Sequence, residues 1–112
     1  MTVQTVREQG PAIRALSRLL SEHPDLISHD FEVGRIITSR GAALGIAVSL
    51  HEAMGHTRAD LDAWRAALAI PAHEVISRRA VTPGLEVIDA YGSYAGVTVL
   101  IRLFDAAHAK AV

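Results

Sequence analysis

The spacing of hydrophobic residues in the first quarter of the chain predicts a helix. Hydrophobic positions recur at three- and four-residue intervals over 11–22, and charged residues occupy the opposite side. Pro11 suits the first turn, because proline has no N–H to lose there. Pro24 ends the helix, because the residue before a proline is pushed out of helical conformation. We therefore predict helix 1 over 11–22, preceded by an N-terminal arm over 1–10, with a further turn over 3–9 as an alternative.

A second helix is predicted in the middle of the chain. Thr57 or Asp60 can cap its N-terminus, and Pro71 closes its C-terminus. Leu61, Trp64 and Leu68 lie about one turn apart, so they are expected to share the inner face of this helix.

A period of two predicts strands on either side of the turn "SRGA". The stretch "FEVGRIIT" over 31–38 is rich in β-branched and aromatic residues, and places Phe31, Val33 and Ile37 on one face. Residues 43–51 then alternate bulky and small side chains, which predicts a second strand. Alanine and leucine also favour a helix over 42–54, which is the alternative. The alternation favours the strand.

Three more strands are predicted in the C-terminal part, over 73–81, 85–91 and 96–104. "TPGL" joins the first two with Pro83 and Gly84 in the order of a type II turn, and "GSYAG" is predicted as the next loop. The last strand is apolar on both faces. This pattern is typical of a central strand, or of one whose second face meets a partner subunit.

These elements predict an α+β fold with the order α-β-β-α-β-β-β. The economical architecture has two layers, an antiparallel sheet of four to five strands with both helices on one face. At 112 residues the chain is expected to be a single domain, 1–112, with a flexible tail over 105–112.

Composition narrows the possible functions. The chain has no cysteine, which excludes disulfides, thiolate metal sites and a cysteine nucleophile within it. A formal net charge of -1 disfavours nucleic acid as a partner. The N-terminus lacks the pattern of a secretory signal, and the longest nearly apolar run, 42–50, is far short of the roughly 20 residues of a membrane helix. A soluble cytoplasmic protein with no membrane partner is expected.

The stretch "HEAMGH" over 51–56 is similar to the zinc motif of metalloproteases, but its spacing is wrong. That motif needs histidines four residues apart on one helix, whereas His51 and His56 are five apart, which rotates the second by about 140°. A looser metal site remains as a hypothesis, with His51, His56 and His73 meeting at one end of the sheet beside Glu52 or Glu74.

Two other patterns also fall short of a functional motif. "YGSYAG" lacks the Gly-x-Ser-x-Gly order of a nucleophile elbow, and a hairpin loop explains Gly92 and Gly96. Tyr91 and Tyr94 are then either a small contact platform or a cap on the sheet end, and the cap is favoured. Adjacent arginines at 78–79 point to opposite faces of a strand, so this pair cannot form one basic patch.

We therefore predict a non-enzymatic interaction module without a cofactor, which self-associates or binds a protein partner through a sheet edge or the outer sheet face. Its predicted interface residues are Leu100, Phe104, Tyr91 and Tyr94. One alternative is a small-ligand or metal-binding protein, or a slow enzyme, that uses the end of the sheet bearing His51, His56 and His73. A weaker alternative is an accessory DNA-binding protein of a mobile element.

Three segments resemble those of a group of small uncharacterised actinobacterial proteins: "VREQGPAIRALSRLL", "LDAWRAALAIP" and "AYGSYAGVTVLIRLFD". That group shares an N-terminal REQGPA helix, a WRxALxIP helix end and a late GVxV strand. The resemblance spans most of the chain and implies an α+β fold. Its motifs are structural, so it implies no catalytic residue.

Overall fold

The computed structural model describes residues 5–28, 30–38, 40–79 and 84–105. These residues form an α+β fold with two helices and five strands in the predicted order. The elements are α1 (Val6–Glu22), β1 (Asp30–Thr38), β2 (Gly41–His51), α2 (Arg58–Leu68), β3 (Val75–Arg79), β4 (Glu86–Tyr94) and β5 (Val97–Asp105). Single 3-10 turns precede α2 and β3, over 52–54 and 72–74. Neither described helix is long and apolar enough to cross a membrane.

Helix α1 begins at Val6, five residues before the predicted start. Thr5 is its N-cap, and a capping box joins it to Glu8: the Glu8 N–H donates to Thr5 Oγ1 (3.3 Å) and the Thr5 N–H donates to Glu8 Oε2 (3.0 Å). Pro11 therefore lies inside the helix, where it cannot donate to the carbonyl of Arg7. Arg7 is exposed, so water can satisfy that carbonyl. Residues 6–10 are helical, and the prediction of an arm over them was wrong.

Helix α2 has the predicted cap and the predicted inner face. The Thr57 N–H donates to the carboxylate of Asp60 (2.7 Å), and Leu61, Trp64 and Leu68 are buried. Trp64 Nε1–H donates to the carbonyl of Ile27 (2.8 Å), so the one tryptophan of the chain fixes the connection between α1 and β1.

The sheet has the strand order β1-β2-β5-β4-β3. Three of its neighbouring pairs are antiparallel, as predicted, but β2 and β5 are parallel, so the sheet is mixed. The difference arises because β5 lies between β2 and β4, the inner strands of the β1–β2 and β3–β4 hairpins. These two strands run in opposite directions, so β5 can be antiparallel to only one of them. The segment 42–51 belongs to β2, which confirms the strand rather than the helix.

Both helices pack on one face of this sheet, the helix-facing side, around a single hydrophobic core. β5 is the middle strand, which confirms one of the two explanations for its apolar character. Its helix-facing residues and those of the neighbouring strands form the core with the helices: Ala12, Ala15, Leu19, Ile46, Val48, Leu50, Leu61, Trp64, Leu68, Ile70, Ile88, Ala90, Val97, Val99, Ile101 and Leu103.

Gly45 lies on β2 where the backbone of β5 leaves no room for a side chain. A Cβ at this position would be 2.2 Å from the carbonyl oxygen of Thr98, its partner on β5, and 2.8 Å from Cδ1 of Ile36. No other residue fits without displacing backbone, so the parallel pairing depends on this glycine.

The β4–β5 turn is shorter than predicted. β4 runs to Tyr94, and only Ala95 and Gly96 turn the chain, both with positive φ (51° and 78°), as a type I′ turn requires. Gly92 is therefore a strand residue and not part of a loop. Its lack of a side chain makes room for Ile70, whose Cγ1 would lie 2.6 Å from an added Cβ.

The turn between β3 and β4 is only partly described. Gly84 has φ 82°, the conformation that the third residue of a type II turn needs. Pro83 lies outside the described residues, as do residues 1–4 of the predicted arm and 106–112 of the predicted tail. Asp105, the first residue of the predicted tail, is instead the last residue of β5.

Candidate functional site

The three histidines proposed as metal ligands do not all come together, because His73 lies apart from His51 and His56. His51 is the last residue of β2. It pairs with Phe104 on β5, and the same row continues across the sheet through Val87 on β4 to Arg78 on β3. His73 precedes β3, whose first residue pairs with Ala90, further along β4 toward the opposite end of the sheet. His51 and His73 therefore lie at different ends of the sheet, with two strands between β2 and β3. Among the described residues, no three histidine, aspartate or glutamate side chains form a group that could hold a metal ion.

His51 and His56 do contact each other, in a structural role. His56 Nδ1 accepts a hydrogen bond from the backbone N–H of His51 (2.9 Å), which closes the turn 51–56 around Gly55 in its left-handed conformation (φ 92°). The imidazole of His51 is stacked on Phe104, with ring centroids 4.6 Å apart and an 11° angle between the planes. "HEAMGH" is thus a tight turn at the end of a strand.

Three of the predicted interface residues, Leu100, Phe104 and Tyr91, lie on the outer face of the sheet, the side opposite the helices. Leu100 is 7% exposed, and Phe104 is half-buried against His51. The hydroxyl of Tyr91 donates to the carbonyl of Ile37, 3.4 Å away on β1. The central part of this face therefore offers little free apolar surface.

Tyr94 lies on the other side of the sheet. Its hydroxyl donates to Oε1 of Glu22 at the end of α1, and its ring is 5.8 Å from the guanidinium carbon of Arg18. Tyr91 and Tyr94 consequently cannot form one contact platform. Tyr94 caps the sheet end against α1, which was the favoured alternative for it.

A charge cluster that was not predicted from the sequence occupies the outer face. Asp89 on β4 is 3% exposed. It accepts two hydrogen bonds from Arg102 on β5, at 2.7 and 3.0 Å, and lies 3.5 Å from Nη2 of Arg78 on β3. The hydrogen bond from Arg102 to Asp89 raises the pKa of Arg102 above its ordinary value. Because every ion is paired, this cluster ties three strands together.

The exposed hydrophobic residues of the sheet lie on its edge strands. Ile37 on β1 is 78% exposed, Phe31 on β1 is 37% exposed, and Ile76 on β3 is 54% exposed. β1 has nine residues and stands at one end of the strand order, so within the described part of the chain only β2 pairs with it. Its edge is the candidate interaction surface.

Gly34 is the middle residue of this edge. In the described part of the chain, nothing lies within 4 Å of a Cβ built on it, in contrast to its partner Gly45 on β2. No contact inside the protein therefore requires a glycine at position 34. The empty space beside it is on the outer face, between Glu32 and Ile36, where a shallow cavity of about 270 Å³ begins.

Comparison with protein-family models, with curated proteins and with solved structures finds no match for this chain. The resemblance to small actinobacterial proteins therefore stays a prediction.

Sequence reasoning placed Phe31, Val33 and Ile37 correctly on one face, but did not show which of them is covered. One feature of the sequence of β1 could have indicated an interaction surface. Phe31 and Ile37 are equally distant from Gly34, which divides a strand of otherwise β-branched, aromatic and charged residues. Such a symmetrical strand is self-complementary when two copies run antiparallel.

Proposed function

We propose that this protein is a non-enzymatic interaction module of the cytoplasm that pairs with a second copy of itself through the edge of β1. The observation that carries the proposal is the symmetrical placement of two exposed hydrophobic residues, Phe31 and Ile37, about Gly34 on an edge strand. Unpaired edge strands present a row of N–H and C=O groups that readily pair with another chain.

The pairing register follows from the side chains. If two β1 strands run antiparallel about a two-fold axis at Gly34, Phe31 of each copy is opposite Ile37 of the other. Val33 is then opposite Arg35, and Glu32 opposite Ile36, so no like charges meet. The exposed hydrophobic residues of both strands are covered at once.

Neighbouring registers are worse. In any acceptable register, the helix-facing residues of one copy pair with the helix-facing residues of the other. The two-fold axis can therefore only lie at a residue of β1, and the neighbouring registers place it one residue before or after Gly34. An axis at Arg35 sets the two Arg35 side chains directly opposite each other, and like charges in that position are destabilising. An axis at Val33 leaves Ile37 beyond the end of the partner strand. Gly34 is therefore the favoured centre.

The other edge of the sheet is protected. β3 has five residues, and both Arg78 and Arg79 follow its exposed Ile76. Short edge strands with charged side chains are a common means of preventing edge pairing. A dimer that uses only β1 buries the same surface on both copies and closes after two subunits.

The direct test is a disulfide at the proposed axis. Directly opposite residues of an antiparallel pair have Cα atoms about 4.5–5.5 Å apart, within the range that a disulfide spans. The chain has no cysteine of its own, so Gly34→Cys provides the one thiol. We expect mild oxidation to link Gly34→Cys into dimers at least tenfold faster than Ile76→Cys on the opposite edge. Equal rates for the two variants would contradict pairing through β1.

A charge variant tests the same surface without a covalent bond. In the dimer, Ile37→Lys places an ammonium group of each copy against Phe31 of the other. Because Ile37 is exposed in the monomer, the same change should not affect the folding of the single subunit. Sedimentation equilibrium should show a dissociation constant at least tenfold higher for Ile37→Lys than for wild type. Ile76→Lys, a matched change of an exposed isoleucine on β3, should leave the constant unchanged. A wild-type protein that is monomeric at every concentration would rule out the proposal.

A further inference from the structure

The turn end of the β1–β2 hairpin bends over the outer face of the sheet. Ile37 pairs with Ala42 on β2, whereas Tyr91 is level with Ala47, through Leu100 on β5. In a flat sheet Ile37 and Tyr91 would be about 20 Å apart, because five residues along the strands and three strand spacings separate them. The hydroxyl of Tyr91 nevertheless donates to the carbonyl of Ile37, at 3.4 Å. The outer face is therefore concave at this end of the sheet.

The bend encloses a cleft of about 670 Å³ between the hairpin and the segment that leads into β3. We call it the hairpin cleft. On the hairpin side it is lined by Ile37, Thr38 and Arg40. Small-molecule sites in proteins have volumes of about 300–1,000 Å³, so the hairpin cleft is large enough to hold a small organic ligand.

The opposite wall exists because β3 is short. Its first residue pairs with Ala90, so residues 91–94 of β4 have no partner on β3. The segment 68–74 runs beside this part of β4 instead, with Cγ1 of Ile70 only 2.6 Å from the place where a Cβ of Gly92 would be. This wall of the hairpin cleft is apolar. It is lined by Leu68, Ile70, Pro71 and Ile76.

The polar groups of the hairpin cleft include one positive and one negative charge, on Arg40 and Glu74. The carboxylate of Glu74 lies 3.5 Å from Nε2 of His73, and the guanidinium of Arg40 has no carboxylate partner among the described residues. Ser93 and Thr98 line the floor on the outer face, and their hydroxyls have no hydrogen-bond partner in the described part of the chain either. The guanidinium and the two hydroxyls are therefore available to a ligand.

We infer that the hairpin cleft binds a small organic acid with a single carboxylate and a partly apolar body. The carboxylate pairs with Arg40, because a guanidinium can donate two parallel hydrogen bonds to it. The hydroxyls of Ser93 and Thr98 bind polar groups of the body, and the apolar wall contacts the rest. A second negative charge on the ligand would meet Glu74, so the site favours a monoanion.

This inference goes beyond the proposed function and does not depend on it. The hairpin cleft lies within a single subunit, and of its lining only Ile37 and Thr38 belong to β1. Neither of them supplies the charge that selects the ligand. Ligand binding and subunit pairing can therefore be measured separately.

A pair of matched compounds tests the inference. The probes are 4-hydroxyphenylacetate and its neutral amide, 4-hydroxyphenylacetamide, titrated near neutral pH into the ¹⁵N-labelled protein and followed by the NMR shifts of backbone amides. Shifts should be largest at Ser93 and Thr98 and absent at His51, at the other end of the sheet. We expect the acid to bind at least about fivefold more tightly than the amide, because only the acid has a charge for Arg40.

Two variants locate the charge and the floor of the site. Arg40→Gln should remove the difference between acid and amide, whereas Arg14→Gln, a change of an exposed arginine on α1, should leave it intact. Ser93→Trp fills the hairpin cleft and should weaken binding of both compounds at least tenfold. Ser17→Trp, at an exposed serine on α1, should leave both affinities unchanged.

Each outcome decides one point. If neither compound gives saturable shifts at millimolar concentrations, or if the shifts map away from Ser93 and Thr98, the site is overturned. If acid and amide bind equally, or if Arg40→Gln keeps their difference, the assignment of an anionic ligand is overturned. If the acid binds as expected while Gly34→Cys forms no disulfide, the hairpin cleft stands and the proposed dimer does not.

Discussion

Replacing Gly45 by alanine should be among the most damaging single-methyl changes in this protein. The added Cβ would lie 2.2 Å from the carbonyl oxygen of Thr98, whereas real Cβ atoms do not approach a heavy atom within 3.0 Å. The two central strands must therefore separate by about 0.8 Å at this point. Such a shift disturbs the hydrogen bonds between β2 and β5, and the nearby Ile36 leaves no room on the other side. We expect a loss of about 3 kcal/mol in the free energy of unfolding, at the upper end of the range for overpacked positions.

The matched control is Gly34→Ala. Gly34 pairs directly with Gly45 on the neighbouring strand, yet its added Cβ meets nothing within 4 Å. This variant should be neutral or stabilised by about 0.5 kcal/mol, because alanine restricts the unfolded chain. Urea unfolding followed by the fluorescence of buried Trp64 measures both, at two protein concentrations to separate folding from association. For a domain of this size, 3 kcal/mol corresponds to a fall of about 12 °C in Tm. Equal stabilities of Gly45→Ala and Gly34→Ala would refute the close-contact argument.

Two further variants test the charge cluster and the β4–β5 turn. Asp89→Asn removes the buried charge that pairs with the partly exposed Arg102, and should lower the free energy of unfolding by about 2 kcal/mol in urea. Asp62→Asn, at a half-exposed carboxylate that pairs with Arg58 and Arg65 on the same helix, should cost less than about 0.5 kcal/mol, and a similar loss for both would count against a structural role of the cluster. Ala95→Gly relieves a left-handed conformation (φ 51°) and should raise the Tm, through about 1 kcal/mol of added stability. A lower Tm for Ala95→Gly would contradict the turn geometry.

The order of elements could be predicted because it depends on local periodicity. The period of two over 43–51 identified β2 although alanine and leucine favour a helix, and Leu61, Trp64 and Leu68 identified the buried side of α2. The predicted start of α1 was wrong because it rested on Pro11 and did not use the capping box that Thr5 and Glu8 form. A capping box satisfies two N–H groups at once, whereas a proline this close to the helix start costs one hydrogen bond in an exposed turn.

Features that depend on distant parts of the chain could not be predicted. The parallel pairing of β2 with β5 is set by where the last strand inserts, and no residue near either strand records it. The same holds for Asp89, whose partners are on two other strands. The expected contact face on β5 proved mostly covered because β5 is central, and the large exposed hydrophobic side chains of the sheet lie instead on its edge strands, β1 and β3. Periodicity shows which side chains share a face, but coverage depends on how far the neighbouring elements extend.

The central place of β5 also has a consequence for how the chain acquires its structure. On a ribosome β5 is made after the other four strands, yet it joins the β1–β2 hairpin to the β3–β4 hairpin. Until β5 emerges, β2 and β4 each have an unpaired edge, and the helices can pack only against two separate hairpins. Contacts between segments so far apart in sequence form slowly, in the range of milliseconds to seconds for folds rich in them. Nascent chains that stop before β5 should therefore be the aggregation-prone species in synthesis, with the two hairpin edges open to other chains.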